Sequence, residues 1–201
     1  MEIAIEAEKI HGPSVRKWMH DNWKTTIQAQ LQDAEWIANN YHPSLTEYLK
    51  SSVPSTTVPV LSLFPMLLID TFFNDDIIKK MNMFQSCVAW GCRLIDDSKD
   101  FQDEKEHGEN ASWIECYMKD NPGTTREQAL YHINMLIELN FEELVKCHIF
   151  YEYEIPTTCK RLYFDMYRSV AFIFRDIDGF SKSSKGIRDD IMKILVEPIF
   201  F

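Results

Sequence analysis

The sequence predicts an all-α fold, a helical bundle, and two observations carry that prediction. Apolar residues recur at intervals of three and four along most of the chain, which is the spacing of one face of an α-helix. Helix-start signals precede several of these segments, and no stretch competes as a strand. We therefore expect six to eight helices packed together.

The length of the chain favours one domain. It has 201 residues, of which 45% are hydrophobic and only 6 are glycine. That is enough to bury one hydrophobic core but too short to argue for two. We find no internal repeat that would divide the chain. Residues 1–201 are therefore expected to form a single domain.

The first long helix is predicted to begin at Pro13 and to end near Ala38. A proline fits the first helical turn because its missing N–H would be unpaired there anyway. Asn39-Asn40 then ends the helix. The apolar residues between these ends keep a helical rhythm: Val15, Trp18, Met19, Trp23, Ile27, Leu31, Ala34 and Ala38.

Capping boxes predict three further helix starts. In this motif a hydroxyl and a carboxylate three residues later each satisfy an unpaired amide of the first turn. The pairs are Ser44 with Glu47, Ser112 with Glu115, and Thr124 with Glu127.

The second half of the chain predicts three more helices. Residues 125–149 have helical spacing, and Pro156 opens a helix that runs to about Arg175. The polar, turn-rich stretch 176–186 reads as a mobile loop over another part of the molecule. A short helix follows it and stops at Pro198.

The net charge of −10 limits the partners. A phosphate backbone is bound mainly through clustered Lys and Arg, so nucleic acid and an anionic membrane surface are disfavoured. A small anionic substrate fits only if a bound cation inverts the local field.

Cysteine usage and the start of the chain favour a reducing compartment. The five cysteines are odd in number and form no C-x-x-C pair, which argues against a disulfide framework and a structural zinc site. The first residues lack the apolar core of a signal peptide, and the most apolar run, Val58 to Ile69, is too short for a membrane span. We expect no targeting signal in this chain and no membrane span.

An acidic stretch, residues 93–109, contains seven carboxylates. If it is helical, Arg93, Asp96, Asp100 and Glu104 share one face, because each residue turns about 100°. Such a ladder of oxygen ligands suits Mg²⁺, which keeps several waters and completes its octahedron with substrate phosphate oxygens. An arginine beside the metal would bind the same phosphates.

Spacing alone leaves a second interpretation open. The stretch also fits a solvated acidic face with local pairs such as Arg93–Asp97, and charge runs are usually of this kind. Nor does the spacing select the ligands uniquely, since Asp103 lies close to the same stripe.

With its surroundings, the stretch resembles the second metal-binding motif of plant class I terpene synthases, (N/D)D-x-x-(S/T)-x-x-x-E preceded by RL(V/I). Here the motif is RLIDDSKDFQDE, residues 93–104. The resemblance is greatest to the conifer branch and covers nearly the whole chain in order, including DAEWIANNYHPSLTEYL (33–49), HGENASWIECYMKDNPGTTREQALYHIN (107–134), IPTTCKRLYFDMYRS (155–169) and ILVEPI (194–199).

The resemblance assigns roles to single positions. It implies that Asp96, Asp100 and Glu104 bind one Mg²⁺, with Mn²⁺ as the alternative metal, and that Arg93 binds diphosphate. The sequence departs from the family at Asp100, where Ser or Thr is common. Because a carboxylate also ligates magnesium, we expect metal binding to survive.

Two other segments correspond to the family's cavity. Stretch 176–186 resembles its lid, with Asp178 and Phe180 nearest the substrate, although a surface connector is the alternative. Segment 51–69 corresponds to a cavity-lining helix with a backbone break, for which Pro59 is a physical cause. Either Ser62 or Thr57 is expected to face the pocket, with ordinary core packing as the alternative for each.

The resemblance implies the reaction. Three Mg²⁺ ions and basic side chains neutralise the diphosphate of a prenyl substrate, the C–O bond ionises, and an apolar cavity steers the carbocation to a terpene. An enzyme that catalyses this reaction is a carbon–oxygen lyase acting on phosphates, and the reaction needs no general-base triad. We expect a C10 or C15 prenyl diphosphate rather than C20, and a monomer.

The family's first metal motif, D-D-x-x-D, is missing. DDSKD (96–100) spells that pattern, but its flanks identify it as the second motif. We therefore expect a C-terminal portion of the metal-binding domain, a partial class I terpenoid synthase fold with one of the family's three metal sites. Alone, the 201-residue chain is expected to be inactive.

Two alternatives stay open. One is a truncated, non-catalytic protein that binds magnesium or pairs with another synthase chain through exposed apolar helices. The other is an unrelated acidic interaction module. The sequence upstream of Met1 would discriminate between a complete enzyme and a truncated protein. By resemblance the compartment is the plastid or the cytosol, and nothing in the chain decides between them.

Overall fold

The computed structural model describes residues 2–69, 71–100, 111–151, 154–175 and 185–196. Within these ranges the chain is helical and contains no strand, so the predicted all-α class is confirmed. The helices, numbered here in chain order, are α1 (Glu2–His11), α2 (Pro13–Ala38), α3 (Leu45–Ser55), α4 (Val58–Leu61), α5 (Leu63–Met66), α6 (Asp75–Asp100), α7 (Trp113–Asp120), α8 (Arg126–Phe150), α9 (Thr157–Ile173) and α10 (Lys185–Leu195).

Helix α2 has the predicted bounds, Pro13–Ala38. It ends where Asn40 leaves the helical conformation with a positive φ of 50°, directly after the cap residue Asn39. Its apolar stripe does not face the core throughout. The first members, Val15, Trp18 and Met19, are buried, whereas Trp23, Ile27 and Leu31 are 43%, 58% and 58% exposed.

Two of the three predicted helix caps are observed at the predicted residues, and the third is displaced by one residue. Ser44 and Glu47 form a full capping box, and the Ser112 hydroxyl accepts from the Glu115 N–H. The third box is formed by Thr125 and Gln128, so the predicted pair Thr124 with Glu127 is one residue early. The reason is a preceding turn, in which the Thr124 N–H already donates to the Asn121 carbonyl.

The chain breaks between α3 and α4, as expected for segment 51–69. Pro59 cannot donate to the Ser55 carbonyl four residues back, and α3 ends at Ser55. The change of direction itself lies earlier than Pro59, at Thr57, whose φ of 63° is unusual for a β-branched residue. Two short helices, α4 and α5, result from this break.

Helix α6 is the centre of the fold and packs most extensively against α8 and α9. The larger core cluster surrounds its first half and includes Phe73, Met81, Phe84, Val88 and Tyr163, all fully buried. A second cluster surrounds Leu94 and joins α6 to α3, α7 and α8 through Tyr48, Trp113, Ile114, Ala129 and Ile133. The C-terminal half of α6 therefore packs against three other helices.

The five cysteines are free thiols, and four of them are buried. None of the helices in the described ranges is both long and apolar enough to cross a membrane.

Candidate functional site

The candidate site is a cavity of about 630 Å³ between the α3–α4 break and α9, with the C-terminal part of α6 as its base. Most of its walls are apolar, and one corner is charged. The lining includes Thr57, Leu61, Arg93, Asp96, Met166 and Phe174. An apolar hollow with a few converging polar groups is typical of a small-molecule site.

Arg93 is the cation of the charged corner. Its Nη1 donates to Oδ2 of Asp96 at 3.0 Å and lies 3.5 Å from Oδ1 of Asp97. On the α3 side, its Nε faces the Ser52 carbonyl and its Nη2 faces the Ser55 hydroxyl, both at 3.4 Å. Burial alone would lower the pKa of Arg93, but Tyr48, Asp97 and Asp96 raise it above its ordinary value. The guanidinium therefore stays charged.

Asp96 is the carboxylate of the corner that is open to the cavity. Its side chain is 30% exposed, whereas that of Asp97 is fully buried. Oδ2 of Asp97 accepts from the Tyr48 hydroxyl at 2.6 Å and from the Trp113 N–H at 2.8 Å. Burial raises the pKa of Asp97, and Arg93 and these two donors oppose that rise.

The other two predicted metal ligands are Asp100 and Glu104, and neither side chain is among those that the structure describes. Helix α6 is continuous to Asp100, so its backbone places Asp100 one turn after Asp96 on the same face. The side chain of Asp100 and all of Glu104 lie outside the described residues. Among the residues that are described, no group of three or more His, Cys, Asp or Glu side chains could hold a metal.

This corner fits a magnesium ion in its donor chemistry. Mg²⁺ usually takes one or two protein carboxylates and keeps water or substrate oxygens in its other positions. Asp96 supplies a carboxylate at the cavity surface, next to a cation that can bind the same phosphate. The described part of the site thus offers one carboxylate and one guanidinium at the cavity surface.

The other predicted cavity residues are placed differently. Thr57 lines the cavity, and its hydroxyl donates to its neighbour's carbonyl at 2.6 Å. Ser62 does not line it: the side chain is fully buried, donates to the Pro59 carbonyl and accepts from Gln85. Asp178 and Phe180, the predicted lid residues, lie outside the described ranges.

Sequence reasoning missed the α9 wall and Cys92. Leu162, Met166 and Ile173 of α9 face the cavity at helical spacing, a signal that was present but indicates core equally well. Cys92 lies one residue before Arg93, and burial, with Asp96 nearby, raises its pKa to about 12. The thiol is therefore a neutral part of the cavity wall.

A larger groove of about 740 Å³ lies between α6, α8 and α9. Its charged side chains are Lys99, Glu138, Glu142, Arg168 and Arg175. It lacks a buried arginine ion-paired with a carboxylate, as Arg93 is with Asp96, which is why we place the candidate site at these two residues.

Solved structures share this fold. Abietadiene synthase from Abies grandis superposes with a TM-score of 0.84 at 29% identity, covering 99% of this chain and 26% of that one. A limonene synthase superposes equally well at 19% identity, over 99% of this chain and 37% of that one, a likeness of fold alone. The architecture is therefore the class I terpene synthase α fold.

Sequence comparison supports the same class. The model of the terpene synthase family, metal binding domain, matches residues 1–143. Sesquiterpene synthase Cad from Chamaecyparis formosensis is 85% identical over all 201 residues, which are 33% of that protein. Alpha-humulene synthase from Picea glauca is 37% identical over 98% of this chain and 35% of its own length. The chain belongs to the terpene synthase family and spans about a third of these curated relatives.

Proposed function

We propose that the protein acts as a terpene synthase, a lyase that ionises a linear prenyl diphosphate and converts the carbocation to a cyclised or rearranged terpene with release of diphosphate. The observation that carries this proposal is the pairing of Arg93 with Asp96 at the charged corner of a mostly apolar cavity. The family membership of the chain supports it.

We assign the first step to the charged corner. Asp96, with Asp100 and Glu104 after it on the sequence, would hold one Mg²⁺, or Mn²⁺ in its place, as one of three metal sites. The ion supplies Lewis-acid stabilisation of the leaving diphosphate. Arg93 donates hydrogen bonds to the diphosphate oxygens, where a charge-assisted bond is stronger than a neutral one.

We assign the later steps to the apolar walls. Leu61, Met166 and Phe174 surround the prenyl chain and keep water from the cation, which would otherwise be captured as an alcohol. Asp178 and Phe180 are proposed to close over the bound substrate. We propose that Thr57 contacts the substrate. Ser62, which is buried outside the cavity, is proposed to stabilise the cavity wall without touching the substrate.

The substrate class is proposed from the relatives. A protein 85% identical over the whole chain is named a sesquiterpene synthase, which favours a C15 diphosphate over C10 and C20. The monomeric state stays a prediction.

A chimera gives the most direct test. We would replace the corresponding third of the Chamaecyparis formosensis synthase by this chain and assay C10, C15 and C20 prenyl diphosphates with Mg²⁺, identifying products by gas chromatography and mass spectrometry. We expect terpene from the C15 substrate and its loss in Asp96→Asn. Ser98→Ala, on the same helix, is the matched control, since its hydroxyl only bonds the Ile95 carbonyl.

The chimera also has a negative outcome. A folded, Mg²⁺-binding chimera that releases no diphosphate would contradict the proposal. For the 201-residue chain alone we expect no turnover, because the one metal site assigned to it leaves the diphosphate incompletely neutralised; terpene formation by that chain would overturn this expectation.

One observation favours a second candidate function, a non-catalytic helical protein that pairs with another synthase chain. Trp23, Ile27 and Leu31 form an exposed apolar stripe on α2, and large apolar patches often mark protein interfaces. A stable complex with an active synthase, without turnover in the chimera, would favour this function.

A further inference from the structure

Asp97 differs from its neighbour Asp96 in burial and in hydrogen-bond partners, although both lie close to Arg93. Its side chain is fully buried, and the cavity lining contains Asp96 but not Asp97. Oδ2 already accepts two hydrogen bonds, from the Tyr48 hydroxyl and the Trp113 N–H. A carboxylate in this position has no open side for a metal and its waters.

The second oxygen of Asp97 faces Arg93. No donor among the described residues makes a hydrogen bond to Oδ1, which lies 3.5 Å from Nη1 of Arg93. A buried carboxylate oxygen without a close donor is costly unless an opposite charge lies nearby. The Arg93 guanidinium provides that charge, so each group stabilises the charged form of the other.

The ion pair between Arg93 and Asp96 depends on whether Asp96 also binds a cation. In this structure the closest partner of Arg93 is Asp96, at 3.0 Å. If Asp96 binds a cation, as the proposed function requires, its carboxylate is shared with that cation and attracts Arg93 less. Asp97 cannot be withdrawn in this way because Tyr48 and Trp113 hold it in place.

We propose that Asp97 is a positioning residue and not a metal ligand: it is the permanent counter-charge that keeps the Arg93 guanidinium at the cavity while Asp96 binds metal. Tyr48 of α3 and the Trp113 amide of α7 fix Asp97, so the direction of Arg93 depends on three helices. This inference rests on the proposed function for its purpose, since the positioned group is the diphosphate donor.

The first test measures the position of Arg93 without any ligand. NMR of the ¹⁵N-labelled chain follows hydrogen exchange of the Arg93 Nε–H. We expect Asp97→Asn, which removes the charge but keeps the shape, to speed exchange at least about tenfold, because removing one partner of a buried ion pair costs well over the roughly 1.4 kcal/mol that corresponds to tenfold. Tyr48→Phe keeps the charge and should have a smaller effect in the same direction.

A matched control separates positioning from loss of stability. Asn82→Ala removes the acceptor of the Trp18 indole N–H, a part-buried 2.8 Å bond between α2 and α6 that does not involve Arg93. We expect it to lower the melting temperature and to leave the Arg93 exchange rate unchanged. If Asp97→Asn does not fold, Tyr48→Phe and Asp97→Glu carry the same measurement.

The second test measures binding of inorganic pyrophosphate with Mg²⁺ by calorimetry. We expect Asp97→Asn to weaken pyrophosphate binding about tenfold, approaching Arg93→Gln, with binding of Mg²⁺ alone unchanged. A tenfold loss of Mg²⁺ binding in Asp97→Asn would identify Asp97 as a ligand and overturn the inference.

The outcomes distinguish the inference from the proposed function. Unchanged Arg93 exchange in Asp97→Asn overturns the positioning role, as does normal pyrophosphate affinity in Asp97→Asn when Arg93→Gln is impaired. If Arg93→Gln itself has no effect on pyrophosphate, the diphosphate role of Arg93 fails, and the exchange measurement still decides whether Asp97 holds Arg93.

Discussion

Gly91 of α6 and Tyr167 of α9 are in such close contact that no side chain fits between them. A Cβ on Gly91 would lie 2.2 Å from Cε2 of Tyr167 and 2.5 Å from Oδ1 of Asn140 on α8. The helix accepts a glycine here because the three helices converge at this point, two residues before Arg93.

Gly91→Ala is therefore expected to destabilise the protein by about 1–3 kcal/mol, the usual cost of overpacking a core. Higher helix propensity would return at most about 1 kcal/mol, so the clash determines the sign. Urea unfolding followed by circular dichroism measures the change. A variant as stable as the parent would show that α9 does not pack on Gly91, and Ser98→Ala serves as the control on the same helix.

Asp100 is expected to act as a metal ligand in place of the family's usual Ser or Thr. We predict that Asp100→Ser retains Mg²⁺ affinity within a few fold, whereas Asp100→Ala loses at least about tenfold, since loss of an outer-shell partner alone costs about 10–100-fold. Calorimetric titration with Mg²⁺ distinguishes the two. Equal affinities for Asp100→Ala and the parent would exclude Asp100 from the site.

The Cys92 thiol is expected to react slowly with iodoacetamide at neutral pH. Only the thiolate reacts, and burial raises the pKa of Cys92 to about 12. Because this pKa lies above the assay range, each unit of pH between 7 and 10 should increase the rate about tenfold, as expected for a thiolate fraction far from its midpoint. Mass spectrometry of the Cys92 peptide follows the reaction, and a plateau near pH 9 would contradict the buried position.

The exposed stripe on α2 makes a prediction about stability. Ile27 is 58% exposed, so Ile27→Asp should change the free energy of unfolding by less than about 0.5 kcal/mol. Val15 lies on the same helix but is fully buried, and Val15→Ala should cost about 1–3 kcal/mol. A large loss in Ile27→Asp, with a smaller mass by light scattering, would show that the stripe is covered by another chain in solution.

Local signals in the sequence were sufficient for much of the fold. Pro13 and Asn39 set the bounds of α2, and Ser44 with Glu47 set the start of α3, because each acts within a few residues. The all-α class was predicted from helical spacing and helix-start signals, and the family was predicted from the order of the motifs. The third cap was displaced by one residue because the turn at Asn121 competes for Thr124.

The site was predicted only where helix periodicity determines it. Arg93 and Asp96 share a face of α6 and both line the cavity, as their spacing indicates. From the sequence, Asp97 was considered only as a surface pair of Arg93 in the alternative interpretation, because its partners Tyr48 and Trp113 lie 49 and 16 residues away. The direction of Ser62 depends in the same way on Gln85, 23 residues later.

The hydrogen bond between Tyr48 and Asp97 has a consequence for the order of folding. The backbone hydrogen bonds of helix α6 are local, but the charged corner needs a contact that closes a loop of 49 residues. Such non-local contacts are reached late, because the loop-closure entropy must be overcome before the contact stabilises anything. The α6 segment alone would therefore lack the site, and the cavity corner appears only when α3 docks.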